Sequence, residues 1–495
     1  MARKFICRCW LICALAVLGS APLPAQDKTD ISNLEFHSSN AALNASFAWA
    51  KQQALAYTHT SSDSIGPWYE AALPGRDAFC MRDVSHQTQG AAALGLFAAN
   101  RNMLDRFALS AAPSRNWAGY WEIDDKGQPS TADFLSNDDF WFNLPANFDV
   151  LDAIVRMWRW TGDNSYRNDP RLQEFFRKTL TDYMTQWQMQ PETILTRPRI
   201  ANRRLKEGKF VDARGIPSYS EGRKDFNLGV DLLAAEYRAI RSYQEIAASP
   251  ADKQLAEKLQ KTADEIQHIL ETVAWSREQG HFNGVIQQGS HGYGSADTMV
   301  LYFGSVKDEA HLRGALDYVA NPAYWKTINI EEESYTPLIL FRNGRSEVAY
   351  QVLQDLSDPA KPRREYPEVS YAVIAGLVSG AMGIEPGHIE SGHMNADYDL
   401  HSLAQPKNKD DEQSLTSLPI RDNVLDLLQR GETMQQLTNR KGRAIRWRVE
   451  FQGVEQQLKV NGKSVHAENE TLLGGRQISW TIIVVQPGAS VTVIR

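Results

Sequence analysis

What most constrains this chain is the rhythm of its connections. Apolar residues recur at helical spacing in twelve segments, at 41–57, 84–99, 101–111, 145–160, 168–188, 226–248, 251–274, 294–304, 307–320, 332–341, 344–356 and 367–381. After 84–99, 145–160, 226–248, 294–304 and 332–341 the chain turns within a few residues, so each of these helices runs antiparallel to the next. Long connections precede every second helix, at 58–83, 112–144, 189–225, 275–293, 321–331 and 357–366. Six long loops therefore gather on one face, at the N-terminal ends of the even-numbered helices. Those helices are also the less polar ones: NLGVDLLAAEYRAI and GLVSGAMG carry small and apolar residues, whereas 168–188 and 251–274 are charged along one side. Small, apolar helices belong inside and amphipathic ones outside. The closure this predicts is a mainly α fold, an (α/α)6 barrel of six helical hairpins. No fixed sequence repeat supports a solenoid instead.

The two ends of the chain differ from this body. Residues 383–420 read as a loop-rich linker, with PKNKDDEQS exposed. From 421 to 495 the pattern alternates, in AIRWRVEF, QQLKV, SWTIIVV and SVTVIR, and VNGKSV carries an Asn-Gly hairpin signal. A small C-terminal antiparallel β-domain is the expectation there. At the start, Arg3, Lys4 and Arg8 precede WLICALAVLG and then SAPLPAQ. That is the pattern of a secretory signal over 1–25, with cleavage after Ala21 or Ala25, and its apolar run is too short to span a bilayer. The helical domain then occupies 26–382, and the mature protein is expected to be soluble and exported, to the periplasm or beyond the cell, with no membrane contact after cleavage.

Three of the four cysteines fall inside the signal, which leaves Cys80 without a partner for an intrachain bridge. With 42% hydrophobic residues and a net charge of −7, the composition is that of an ordinary globular protein and gives no reason to expect nucleic acid as a partner. Glycine-rich phosphate loops, CxxC pairs and HExxH are absent from the sequence. His388, His393 and His401 lack recognisable ligand spacing, so neither a metal nor another cofactor is expected.

The chemistry is concentrated in the long loops. In CMRDVSHQTQGAAALGLF, a helix with a small apolar body begins with Arg82, Asp83 and His86. Buried charges need partners. Either these pair as a lock between loop and helix, or they face a polar ligand. The other long loops carry aromatic and acidic side chains together: Trp121, Asp138, Asp139, Trp141, Tyr219 and Tyr293. Such mixtures suit sugars, whose C–H faces stack on rings while their hydroxyls take hydrogen bonds.

Over residues 40–381 the helix-pair rhythm resembles that of the six-hairpin glycosidases, which include glucoamylases and α-L-rhamnosidases. The most specific local match is MRDVS. Glucoamylase-like enzymes carry an Arg-Asp pair at the mouth of the first inner helix, where it holds sugar hydroxyls, and Arg82 with Asp83 occupies that place. Arg76 and Asp77 form a second such pair, and His86 lies one turn further in. The resemblance implies a general acid from the third long loop and a general base from the sixth. By position these are Glu221 and Glu368, with Glu365 or Glu333 as alternatives. Proline at 367 suits a first helical turn and sets Glu368 at the positive end of a helix, where an ionised carboxylate is favoured. The family logic then implies inversion. The α-L-rhamnosidases use other carboxylates, and their acidic motif is not found here.

Nine Arg and Lys residues between Arg197 and Lys224, Arg223 among them, leave open an anionic, uronate-containing oligosaccharide or polysaccharide fragment as the partner. Two other classes stay in view: a polysaccharide lyase on the same helical scaffold, using His86 or Tyr219, and a noncatalytic carbohydrate-binding protein.

Overall fold

The computed structural model describes residues 32–59, 64–198, 200–201, 210, 213–220, 224–287, 292–387 and 398–495. It joins an α-helical domain to a β region. The main helices are α1 (Ala41–Ala56), α2 (Met81–Ala93), α3 (Phe97–Ser110), α4 (Pro145–Thr161), α5 (Pro170–Lys178), α6 (Val230–Ile246), α7 (Pro250–Ile269), α8 (Asp297–Tyr302), α9 (Glu309–Val319), α10 (Ile330–Arg342), α11 (Ser346–Leu356) and α12 (Pro367–Ala375). Local chemistry sets many of their ends. Pro145 and Pro367 occupy the first turns of α4 and α12. Ser249 and Asp252 form a reciprocal cap on α7, and Asn329 caps α10 by accepting from the Glu332 N–H.

Two boundaries differ from the sequence reading. The helix expected over 84–99 stops at Ala93, because Gly95 adopts φ +82° and turns the chain into α3, which begins at Phe97. The segment 168–188 is broken into short pieces, Ser165–Asn168, Pro170–Lys178 and Met184–Gln186, with a π turn at Thr179–Tyr183. Pro170 starts the second piece and cannot continue the first.

The even-numbered helices pack in chain order: α2 on α4, α4 on α6, α6 on α8, α8 on α10, α10 on α12, and α12 back on α2. Outside them, α3 packs on α2 and α4, α7 on α6, α9 on α8, α11 on α10, and α1 on α12. The α12–α2 contact is a close one. A Cβ built at Gly90 would lie 2.2 Å from the carbonyl oxygen of Tyr371, so only glycine lets these two backbones approach so closely.

The β region contains a seven-stranded and a five-stranded sheet. Strand Glu35–Ser38, from the segment ahead of α1, pairs antiparallel with Glu412–Ile420, and Leu400–Leu403 lies in the five-stranded sheet beside Ile445–Gln452. Strands therefore begin inside the 383–420 stretch expected to be a linker, and the N-terminal segment contributes an edge strand to the β region. The linker's composition is loop-like, but Gln413 and Leu415 and, beyond a bulge, Leu418 and Ile420 point inward and are buried.

The sheets meet the far ends of the inner helices. Side-chain amides of Gln413 and Gln429, both buried, donate to the carbonyls of Ala381 and Met382 just beyond α12. The Arg421 N–H donates to Trp160 at the end of α4, and Arg476 donates to Arg342 at the end of α10. The opposite, N-terminal ends are left for the long loops.

Gly90→Ala tests the closing contact. The added methyl has to push α12 away from α2, and overpacking of this kind costs about 1–3 kcal/mol, more than the helix propensity it gains. Chemical denaturation is expected to show a lower midpoint with an unchanged slope.

Candidate active site

Where the long loops gather, a cavity of about 490 Å³ opens over the heads of the inner helices. Arg82 and Asp83 reach it from the first turn of α2, Asp231 from α6, Met299 from α8, Glu331, Glu332 and Tyr335 from α10, and Glu368 from α12. Trp121, Glu122, Tyr219, Ser220 and Arg76 come from the loops. Inner-helix N-termini and loop side chains thus converge on one space.

Arg82 is central. Its guanidinium lies 3.5 Å from Asp83 and donates across the cavity to Glu331 at 3.3 Å, while its plane sits 4.9 Å from the centre of the Tyr219 ring. Asp83 is pushed up to about 7, first by burial and then by the negative charges of Glu331 and Glu122, against the pull of Arg82. Glu368 is 8% exposed, with no hydrogen-bond partner for its Oε2. Burial, followed by Asp83 and Glu331, holds its carboxyl well above the usual range. The helix-terminus argument made from sequence therefore points the wrong way: the positive end of α12 is present, but burial and two neighbouring acids outweigh it.

Of two residues expected to touch ligand, His86 lies beneath the cavity and Tyr219 lines it with its ring alone. The His86 side chain is buried, its Nε2 lies 2.9 Å from Asp149, and its ring packs on Tyr335 and Tyr302. Burial lowers its pKa. The Tyr219 hydroxyl also donates to Asp149, so this tyrosine offers the cavity its ring and turns its phenol inward. Asp149 and His86 thereby fix the platform under Arg82.

The other expected residues are scattered. Arg76 lines the cavity but is committed to Glu122 at 2.7 Å and Asp133 at 3.3 Å. Asp77 sits on an exposed turn at φ 48° and is not among the lining residues. Trp121 lines the wall, whereas Trp141 is packed in the core. Asp138 is exposed, and Asp139 accepts from the Phe210 N–H at 2.6 Å, so neither faces the cavity. Tyr293 is exposed on its strand. Glu365 is exposed, and its carbonyl accepts from Tyr57. Glu333 turns away from the cavity into a buried ion pair with Lys361 at 2.6 Å. Glu221 and Arg223 lie outside the described residues, immediately after the cavity-lining Tyr219 and Ser220, and His388 and His393 also lie outside them. Burial pushes the Cys80 thiol up, which leaves it a poor nucleophile.

Sequence reasoning missed Glu122 and Asp231, and at the head of α10 it named Glu333, whereas Glu331 and Glu332 line the cavity. Asp231 was within reach of the logic applied to MRDVS, being a lone acid at the head of an apolar inner helix. Glu122 has no such signal, since it arrives through pairing of strand Glu122–Asp124 with Ala78–Cys80. Among the described residues no group of three or more His, Cys, Asp or Glu side chains is placed to hold a metal ion, and no helix is long and apolar enough to cross a membrane.

Glu368→Gln is expected to stabilise the protein at alkaline pH. Folding raises this carboxyl above the unfolded value of about 4.3, so the folded state is favoured while the group is protonated and loses stability as pH rises through the folded pKa. The amide removes that loss. Thermal unfolding is expected to give a higher Tm for the variant at about pH 8 and a gain that vanishes toward about pH 4.

No family model and no curated protein matches the sequence. Solved structures do match the fold. An α-L-rhamnosidase from Dictyoglumus thermophilum aligns with TM-score 0.60 at 13% identity, covering 94% of this chain and 50% of the other. A GH78 family rhamnosidase of Bacillus sp. GL1 aligns with TM-score 0.57 at 12% identity, over 82% of this chain and 40% of the other. A putative kojibiose phosphorylase from the human microbiome aligns with TM-score 0.53 at 10% identity, covering 92% and 67%. The chain thus spans half or less of the two rhamnosidases, and it shares its fold with all three structures.

Proposed function

We propose that this chain is a secreted glycoside hydrolase that removes sugars from the end of an oligosaccharide or polysaccharide fragment, and that its closed succession of helices is an (α/α)6 barrel. The observation that carries the reading is the single cavity in which an Arg-Asp pair, an aromatic wall and a buried carboxyl meet at the heads of the inner helices. The sheets lie at the other ends of those helices, so the space resembles a pocket more than a through-going cleft, which suits a chain end. The signal pattern over 1–25 supports export.

Hydrolysis of a glycosidic bond needs one carboxyl that gives a proton to the leaving oxygen and a second that acts on water or on the sugar. Glu368 serves as the base. A base whose pKa is raised accepts a proton more readily than an ordinary carboxylate, and burial raises this one. Glu221 serves as the acid, carried by the segment that follows Tyr219 and Ser220 in the cavity wall. Inversion places a water between the two, with carboxyls about 6.5–9.5 Å apart. Elimination by a lyase is less well supported, because the Tyr219 hydroxyl is committed to Asp149 and His86 is buried beneath the floor.

Turnover on a panel of oligosaccharides, read by product mass and ultraviolet absorbance, tests this. Saturated monosaccharides are expected, with Glu221→Gln and Glu368→Gln each losing a factor of about 10²–10⁴. Unsaturated products contradict hydrolysis, and release that survives both substitutions contradicts the assignment. The acid limb of kcat/KM is expected at a pH well above the usual carboxylate range, since Glu368 must lose its proton to act. Glu331→Gln removes one of the negative charges that raise Glu368, so its acid limb is expected to move to lower pH.

A further inference from the structure

Which sugar the cavity accepts follows from its charge balance. Among the described lining residues there are six carboxyl side chains and two guanidinium groups. Both guanidinium groups are already committed, Arg76 to Glu122 and Asp133, Arg82 to Asp83 and Glu331. An incoming sugar carboxylate has to displace a resident one to find either cation. The basic third loop does not change this where it is described. Arg197 is buried and donates to the Trp187 carbonyl, and Arg214 stacks on the rings of Phe140 and Trp187.

At the heads of α2, α10 and α12, three carboxyls, Asp83, Glu331 and Glu368, share one guanidinium. Glu368 is more than nine-tenths buried and lines the cavity, and its Oε2 accepts no hydrogen bond. A donor is wanted at that point, and a positive one offsets the excess of negative charge around it. We propose that the cavity takes a hexosamine residue with a free amino group, its ammonium seated between Glu331 and Glu368, and disfavours uronates. This rests on the cavity being a saccharide site.

The groups facing that position are Arg82 and Asp83 from α2, Glu331 and Tyr335 from α10, Glu368 from α12, and Tyr219 and Glu122 from the loops. Binding of a cation there draws protons off Asp83 and Glu368. Affinity therefore rises with pH across the range in which these carboxyls ionise while the amine, of pKa about 7.7–8 by analogy with an α-amino group, keeps its charge.

Isothermal titration calorimetry with a glucosamine tetramer, its N-acetylated counterpart and a glucuronate-terminated oligosaccharide of the same length tests the inference. At about pH 7 the free-amine ligand is expected to bind at least about tenfold more tightly than the acetylated one, a 1.4 kcal/mol preference. Its affinity should fall toward about pH 5.5, with proton release on binding seen as a dependence on buffer enthalpy. Glu331→Gln is expected to remove most of the preference, with circular dichroism reporting whether it folds and Glu332→Gln as a second charge-removing variant. Equal or tighter binding of the acetylated or uronate ligand overturns the inference, as does no binding of any of the three. Turnover is scored separately: amine-selective binding without cleavage of any glycan retains the inference and contradicts the hydrolase, whereas cleavage of neutral glycans without amine preference does the reverse.

Discussion

The inner helices are forced so close together that the charges at their heads share one small space. Gly90 lets α12 press its backbone against α2, and the first turns of these helices carry Asp83 and Glu368. Glu331 arrives from α10, and Arg82 is the cation that binds Asp83 and Glu331 together. Burial strengthens every interaction in that cluster, both the attraction to Arg82 and the repulsion among the acids. Asp83 and Glu368 hold their protons to unusually high pH as a result. Functional sites often store strain of this sort, with stability given up so that a carboxyl becomes a stronger base.

The surrounding structure keeps the cluster in place. Beneath it, Asp149 receives the Tyr219 hydroxyl and lies within hydrogen-bond distance of His86, so the ring that supports Arg82 is fixed from below. Beside it, Lys361 in the loop ahead of α12 is tied to Glu333 on α10 and to Asp355 on α11. At the far end, the amides of Gln413 and Gln429 bind the last carbonyls beyond α12, and the Gln429 amide also donates to Gln435. The β region thus anchors the same helix whose head carries Glu368. Neither Glu333 nor His86 lines the cavity, yet His86 packs on Tyr335, which does, and Glu333 holds the loop ahead of α12 through Lys361.

Much of this was legible in the sequence because it follows from period and connection length. Alternating short and long connections identified which helices lie side by side and which ends carry the loops. The small residues of α2 and α12 pointed to their inner position, and MRDVS pointed to the cavity. What escaped depended on contacts between residues distant in the chain. Nothing near Glu333 says that Lys361 draws it away while Glu331 and Glu332 remain, and nothing near Asp139 says that its carboxylate caps the Phe210 N–H. The helix-terminus argument for Glu368 identified a real local effect but not the burial and the neighbouring acids that exceed it. Strand Glu412–Ile420 was hidden for a different reason: its composition is loop-like, and a bulge between Leu415 and Leu418 breaks the alternation that marks a strand.

The central claim is that buried, undercompensated carboxyls occupy the heads of the inner helices, and infrared difference spectroscopy tests it most directly. Subtracting the pH titration of Glu368→Gln from that of the unsubstituted protein isolates the carboxyl stretch of Glu368, and Asp83→Asn does the same for Asp83. The account predicts a protonated-carboxyl band for Glu368 that persists well above the pH at which a carboxyl of ordinary pKa near 4.3 is ionised. Loss of that band below about pH 5 would mean that the cavity compensates its charges, and the account of the site would be wrong.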